Sequence, residues 1–229
     1  MPLARTIMNL LVRSLARILC RVDDAQLPRV PQQGPLILVT NHVNFLDAPL
    51  LYTHLQPRAV TAFAKIETWR NPLLGLLFTI GGAIPLRRGE ADVGALRRGL
   101  AELKAGHIVA VAPEGTRSGD GRLRQGKPGV VTLALHSGAP LLPVAFYGGE
   151  AFKQNLARLR RTGFHIVVGR PFHLIRSPAS WETPGFLRAS AVRQQMADEI
   201  MYQLATLLPP EYRGYYADLG RATTEYLQF

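Results

Sequence analysis

Residues 36–54 read LILVTNHVNFLDAPLLYTH, and the architecture can be built outward from them. Leu36–Thr40 is a continuous apolar run without alternation, which predicts a strand covered on both faces. Asn41 to Asp47 is a polar turn, and a helix is expected near Ala48–His54. A strand that runs through a turn directly into a helix is one half of a parallel βαβ unit.

The same alternation continues downstream. Strands are expected at Ala59–Ala64, Ala83–Leu86, Ile108–Ala112, Leu141–Phe146 and Phe164–Val168. Helices are expected over about 69–79, 91–105, Gly129–His136 and 187–208, with a Gly- and Arg-rich loop from Pro113 to Pro128 and a tail from Pro209. The fold class is therefore α/β, a single domain with a mainly parallel or mixed sheet flanked by helices. In such sheets ligands gather at the carboxyl ends of the strands. The domain is expected over 28–229, preceded by an amphipathic helical segment over 1–27. No repeat or linker interrupts it.

Composition narrows the partners. Of 229 residues, 27 are Lys or Arg and 16 are Asp or Glu, a formal charge of +11 that favours anionic partners. Only Lys65, Lys104, Lys127 and Lys153 are lysines, so most of the charge is guanidinium, whose planar fork suits phosphate. No basic helix with interleaved aromatics occurs, so nucleic acid is not the expected partner. Cys20 is the single cysteine, which excludes a disulfide framework and a cysteine metal site, and no base lies near it to make it a nucleophile.

Residues 3–20 read as an amphipathic helix. Leu3, Ile7, Leu11, Leu15 and Ile18 share one face, and Arg5, Arg13, Arg17 and Arg21 lie on the other. Such a helix either lies in a membrane interface or packs on its own core. The arginines are spread through the segment rather than grouped before an apolar run, so no secretory signal is read here. No stretch reaches the ~20 apolar residues of a spanning helix. The apolar run Leu73–Ile80 is expected either to meet acyl chains or membrane, or to be a buried core helix.

Two segments carry chemistry. In Asn41–Asp47, His42 is a general-base candidate. A neighbouring carboxylate would fix its tautomer and stabilise the imidazolium that forms on proton abstraction. Asp47 is five residues away, the wrong spacing for one helix face, but workable if His42 ends the strand and Asp47 opens the next helix. The bland alternative is an Asx helix cap beside a polar loop histidine. The second segment, Val111–Gly119, leaves a strand at its carboxyl end. There Gly115 permits close backbone approach, Arg117 offers a bidentate phosphate contact, and Thr116 and Ser118 supply hydroxyls. It contains neither a P-loop nor a GxGxxG spacing.

NHVNFLD (Asn41–Asp47) resembles the NHxxxxD motif of the glycerolipid acyltransferases, and APEGTRS (Ala112–Ser118) resembles their PEGTRS motif. Further blocks fit in order: Phe63-Ala64-Lys65 through Pro72 and Gly75, Gly82–Arg88, Lys127-Pro128-Gly129, Ala139–Val144 and Leu207–Asp218. The resemblance spans roughly 35–218 and is strongest to the 1-acylglycerol-3-phosphate O-acyltransferases. It implies His42 as base and Asp47 as its partner. It implies Glu114, Gly115, Thr116, Arg117, Lys65 and one or both of Arg87 and Arg88 as substrate-binding residues. It further implies no metal or resident cofactor, with acyl-CoA or acyl carrier protein as co-substrate, a lysophospholipid acceptor and an anionic membrane surface as partners. The expected place is peripheral, on the cytoplasmic face of a membrane. Where relatives often carry Ser, this chain has Asn44, which removes any hydroxyl role there. Backbone amides around residues 41–45 are the candidate oxyanion donors.

Overall fold

The computed structural model describes residues 2–175 and 190–229, with side chains described from Thr6 onward. In chain order the elements are α1 (Pro2–Leu19), β1 (Cys20–Asp23), β2 (Leu36–Thr40), α2 (Asp47–His54), β3 (Val60–Lys65), α3 (Pro72–Ile80), β4 (Ile84–Leu86), α4 (Val93–Lys104), β5 (Ile108–Val111), α5 (Gly129–Ser137), β6 (Leu141–Tyr147), α6 (Phe152–Ala157), β7 (Thr162–Val168), β8 (His173–Leu174), α7 (Ser190–Ala205) and β9 (Leu227–Gln228).

β1–β7 form one sheet in the order β1-β7-β6-β2-β5-β3-β4, and β8 pairs with β9 beside it. β6, β2, β5, β3 and β4 are mutually parallel; β7 runs antiparallel to β6, and β1 parallel to β7. β2 lies at the centre, and all five of its residues are buried. Leu36 and Leu38 face a cluster with Ala16 of α1, Leu50 and Leu51 of α2, and Leu55 just after it. Ile37 and Val39 face the opposite cluster, built from α4, α5, α7 and Tyr216. A strand sandwiched in this way must be apolar on both sides, which is why its sequence shows no alternation.

The structure adds to the sequence reading at three points. The helix expected over 3–20 is Pro2–Leu19, and Cys20–Asp23 follows it as an edge strand whose Cys20 pairs with Thr162. Within α1, Ala16 is buried while Ile7, Leu10, Leu11, Leu15 and Ile18 are exposed, so the apolar face points away from the domain. The side chains of Leu3 and Arg5 lie outside the described residues. Finally, Leu73–Ile80 is not a core helix: Leu73 is 66% and Leu76 57% exposed. No described helix is long and apolar enough to cross a membrane. The helix expected over 187–208 is Ser190–Ala205, and residues 187–189 lie outside the described residues.

Candidate active site

β2 carries the chain to the carboxyl edge of the sheet. Asn41, 1% exposed, extends the β2–β6 pairing with its side chain. Its Nδ2 donates to Phe146 O (2.7 Å), and its Oδ1 accepts from Phe146 N (2.7 Å). The next residue, His42, is thereby fixed at the strand's end.

Asp47 opens α2 and folds back onto this turn. Its Oδ2 meets His42 Nδ1 at 2.7 Å and also accepts from the amides of Val43 (2.7 Å) and Asn44 (2.9 Å). The five-residue gap is thus closed by a turn whose amides converge on the carboxylate, which stands at a helix N-terminus where the dipole favours it. Asp47 is 3% exposed and His42 20%. Asp47 Oδ1 is buried without a hydrogen-bond partner among the described residues, a desolvation cost of ~1–3 kcal/mol placed on the residue that orients the histidine. With Nδ1 committed to Asp47, Nε2 is the nitrogen left to act, and it has no partner among the described residues. Asn44 is structural: Oδ1 accepts from Leu46 N, and Nδ2 donates to Gly149 O.

The loop after β5 is stitched to the same turn. Ser118 N donates to His42 O (2.8 Å) and Gly119 N to Val43 O (3.1 Å). Glu114, 2% exposed, accepts from His42 N (2.8 Å) through Oε1 and from Arg124 N (2.9 Å) through Oε2. With both oxygens bonded to backbone amides in the interior, Glu114 positions the histidine and the loop. Burial pushes its carboxyl up to about 7, against the lowering effect of those amides and of Arg124. Of the amides expected as oxyanion donors, those of His42, Val43 and Asn44 are already bonded to carboxylates.

Gly115 sits at φ 67°, with Lys127 lying across it at 3.3 Å from where a Cβ would stand. Thr116 and Arg117 follow on the exposed rim. Their side chains have no hydrogen-bond or ion-pair partner among the described residues, which leaves them open to a ligand.

Register places the other expected residues on the same edge. Lys65 ends β3 opposite Leu86, and Arg87 and Arg88 follow at the end of β4. With strands ~4.8 Å apart, Lys65 lies roughly 10 Å and Arg87 roughly 14 Å along the edge from β2. Asp92 anchors the Arg87 end by accepting from Arg87 N (2.9 Å) while capping α4. These amide contacts, first that of Arg87, hold its carboxyl below the ordinary range. Arg87 and Arg88 are exposed. Among the described residues no group of three or more His, Cys, Asp or Glu is placed to hold a metal ion.

A further layer was not legible in the sequence. The loop 113–128 is clamped by the C-terminal region. Leu123 N donates to Tyr212 O and Tyr215 N to Leu123 O. Gly126 N donates to Tyr216 Oη, which itself donates to Asp198 Oδ1 at 2.6 Å. Gly126 has no room for a side chain, since a Cβ would stand 2.5 Å from Met201 Cγ.

Known proteins resemble this chain in sequence and fold. A chloroplastic 1-acyl-sn-glycerol-3-phosphate acyltransferase of Brassica napus is 35% identical over 67% of this chain, and one of Arabidopsis thaliana is 31% identical over 61%. The alignments cover only 45% and 40% of those two proteins. A lyso-ornithine lipid O-acyltransferase of Pseudomonas aeruginosa is 29% identical over 80% of this chain and 73% of its own. The crystal structure of a 1-acyl-sn-glycerophosphate acyltransferase from Thermotoga maritima shares the fold, with a TM-score of 0.59, 21% identity and coverage of 86% of this chain and 79% of that one. The acyltransferase family model matches residues 21–147, more than half of the chain and the whole span from β1 through the histidine turn and the Glu114 loop to β6; the chain belongs to the acyltransferase family.

Proposed function

We propose that this chain transfers an acyl group from the thioester of acyl-CoA or acyl carrier protein to the free hydroxyl of 1-acylglycerol 3-phosphate, giving phosphatidic acid. The observation that carries this reading is the 2.7 Å His42–Asp47 contact at the carboxyl edge of the sheet, with Nε2 open beside the exposed Arg117 loop. His42 Nε2 takes the acceptor's hydroxyl proton as the alkoxide attacks the thioester carbonyl. Asp47 stabilises the imidazolium, and the collapsing adduct expels the thiolate, which receives that proton. The products are an ester and a free thiol, and no covalent enzyme intermediate is required. Arg117, with Lys65 and Arg87 or Arg88 along the same edge, holds the acceptor phosphate, which turns the attack into an effectively intramolecular step. Thr116 lies next to Arg117 with its hydroxyl free to join that contact.

The exposed apolar faces of α1 and α3 and the net charge support peripheral work at an anionic bilayer surface. A second acceptor reading comes from the Pseudomonas aeruginosa relative, whose alignment covers most of both chains: a lyso-ornithine lipid, which presents a hydroxyl without a phosphate ester. An acceptor screen with radiolabelled acyl-CoA and thin-layer separation distinguishes the two. Labelled phosphatidic acid supports the first reading. Label only in ornithine lipid supports the second, and release of free fatty acid alone contradicts both.

A further inference from the structure

Away from His42, the chain leaves α6 through a turn that carries an unusual leucine. Leu159 has φ 52°, in the left-handed region, and is 94% exposed. A leucine there costs ~1 kcal/mol or more against Gly or Asn, and it gains nothing from the protein's own core. The turn is held by backbone bonds, with Leu159 N donating to Leu156 O and Arg160 N to Asn155 O, so the leucine is presented by an ordered segment. Leu156 is also exposed, and Arg158, Arg160 and Arg161 flank the tip.

This turn is tied to the end of α1. The Arg161 guanidinium donates to the carbonyls of Arg17 and Cys20. At that end α1 exposes Leu15 and Ile18. A cavity of about 260 Å³ lies at the junction, lined by Arg17, Arg21, Arg161, His54, Asp24 and Cys20. Three guanidiniums face one carboxylate there. The strand register sets the cavity's level. Cys20 pairs with Thr162, beyond the Tyr147–His165 pair that ends β6, so the corner rises on the same edge of the sheet as His42.

We propose that this corner seats an anionic phospholipid of the bilayer outside the catalytic centre: Leu159, with Ile18, enters the acyl region, and the guanidiniums of the junction hold a headgroup phosphate. The proposal rests on the bilayer reading above and fixes which segments touch the membrane. It turns the carboxyl edge of the sheet, with His42, toward the lipid phase. Charge complementarity selects this occupant, since apolar tips ringed by arginine match the layered chemistry of an acidic membrane. Nucleic acid would give an exposed leucine no partner.

The test is flotation of the full chain with phosphatidylglycerol or phosphatidylcholine vesicles. Leu159→Asn keeps the left-handed backbone at lower cost. It is expected to melt no lower than wild type, yet to partition roughly tenfold less onto phosphatidylglycerol vesicles. Arg17→Gln and Arg21→Gln are each expected to lower that partition about fivefold and to leave phosphatidylcholine binding unchanged. Turnover on a short-chain, monomeric acceptor should remain at the wild-type level in all three. Wild-type flotation by Leu159→Asn would overturn the proposal while leaving α1 as the membrane contact. A wild-type chain that floats with neither vesicle, yet makes ester product in solution, would also overturn it and leave the catalytic reading standing.

Discussion

His42 is held by two carboxylates doing different work. Asp47 contacts the ring, and Glu114 holds the backbone amide behind it. The two are separable by mutation. His42→Ala removes the base and should lower kcat by at least ~10²–10⁴ with the fold intact, as checked by circular dichroism and steady-state kinetics. Asp47→Asn should cost about 10³–10⁴ in kcat, because the amide cannot both hold the correct tautomer and offset the imidazolium. Arg117→Ala should instead act on KM for a phosphorylated acceptor, raising it roughly 10-fold or more with little change in kcat. Glu114 adds a pH signature. An unfolded glutamate titrates near ~4.3, whereas the buried one is raised to about 7, so the native state binds the proton more tightly. Its contribution to stability is therefore complete below about pH 4 and is lost as pH rises through about 7. Urea unfolding from pH 5 to 8 should show that decline in the wild type and a flatter profile in Glu114→Gln. The same variant should lose activity, because one amide donor would face an NH₂ group. Equal pH slopes in the two proteins would contradict the assignment.

At the scale of elements, the clamp of the loop by the C-terminal tail makes its own prediction. Tyr216→Phe leaves Gly126 N–H and one lone pair of Asp198 unpaired in the interior, a loss of ~1–3 kcal/mol. The melting temperature should fall by roughly 2–10 °C in calorimetry. An unchanged midpoint would show that the hydroxyl carries no part of the clamp. The elements that the sequence made legible are those whose residues are dictated locally. LILVT must be apolar because both faces are covered, and NHVNFLD and APEGTRS lie where strands end. What stayed hidden depends on partners far along the chain. Cys-Arg-Val-Asp becomes β1 only because Thr162–His165 offers a free edge, 142 residues away in each paired position. Its four residues carry too little apolar pattern to announce a strand. For Glu114 the resemblance implies a substrate contact, and only the fold reveals that His42 N and Arg124 N enclose it. Likewise, periodicity established that α1 and α3 have apolar faces but could not say which way they point.

For the molecule as a whole, the picture is a catalytic edge flanked by apolar and cationic surface. At one end of the sheet stand α1 and the Leu159 turn, and at the other the exposed leucines of α3. With a charge of +11, partition onto acidic vesicles should fall steeply between ~0.05 and 0.5 M salt, where the screening length shrinks from about 14 Å to about 4 Å. Flotation across that range checks it, and salt-independent binding would show that apolar insertion alone holds the protein to the surface. The central claim is chemical, that one imidazole oriented by Asp47 moves the proton in acyl transfer to a lipid hydroxyl. The most direct measurement is a single-turnover assay of purified wild type and His42→Ala with radiolabelled acyl-CoA and lysophosphatidic acid, with products separated by thin-layer chromatography. Labelled phosphatidic acid from the wild type and none above background from His42→Ala is the predicted result; equal product from both, or label appearing only as free fatty acid, would contradict it.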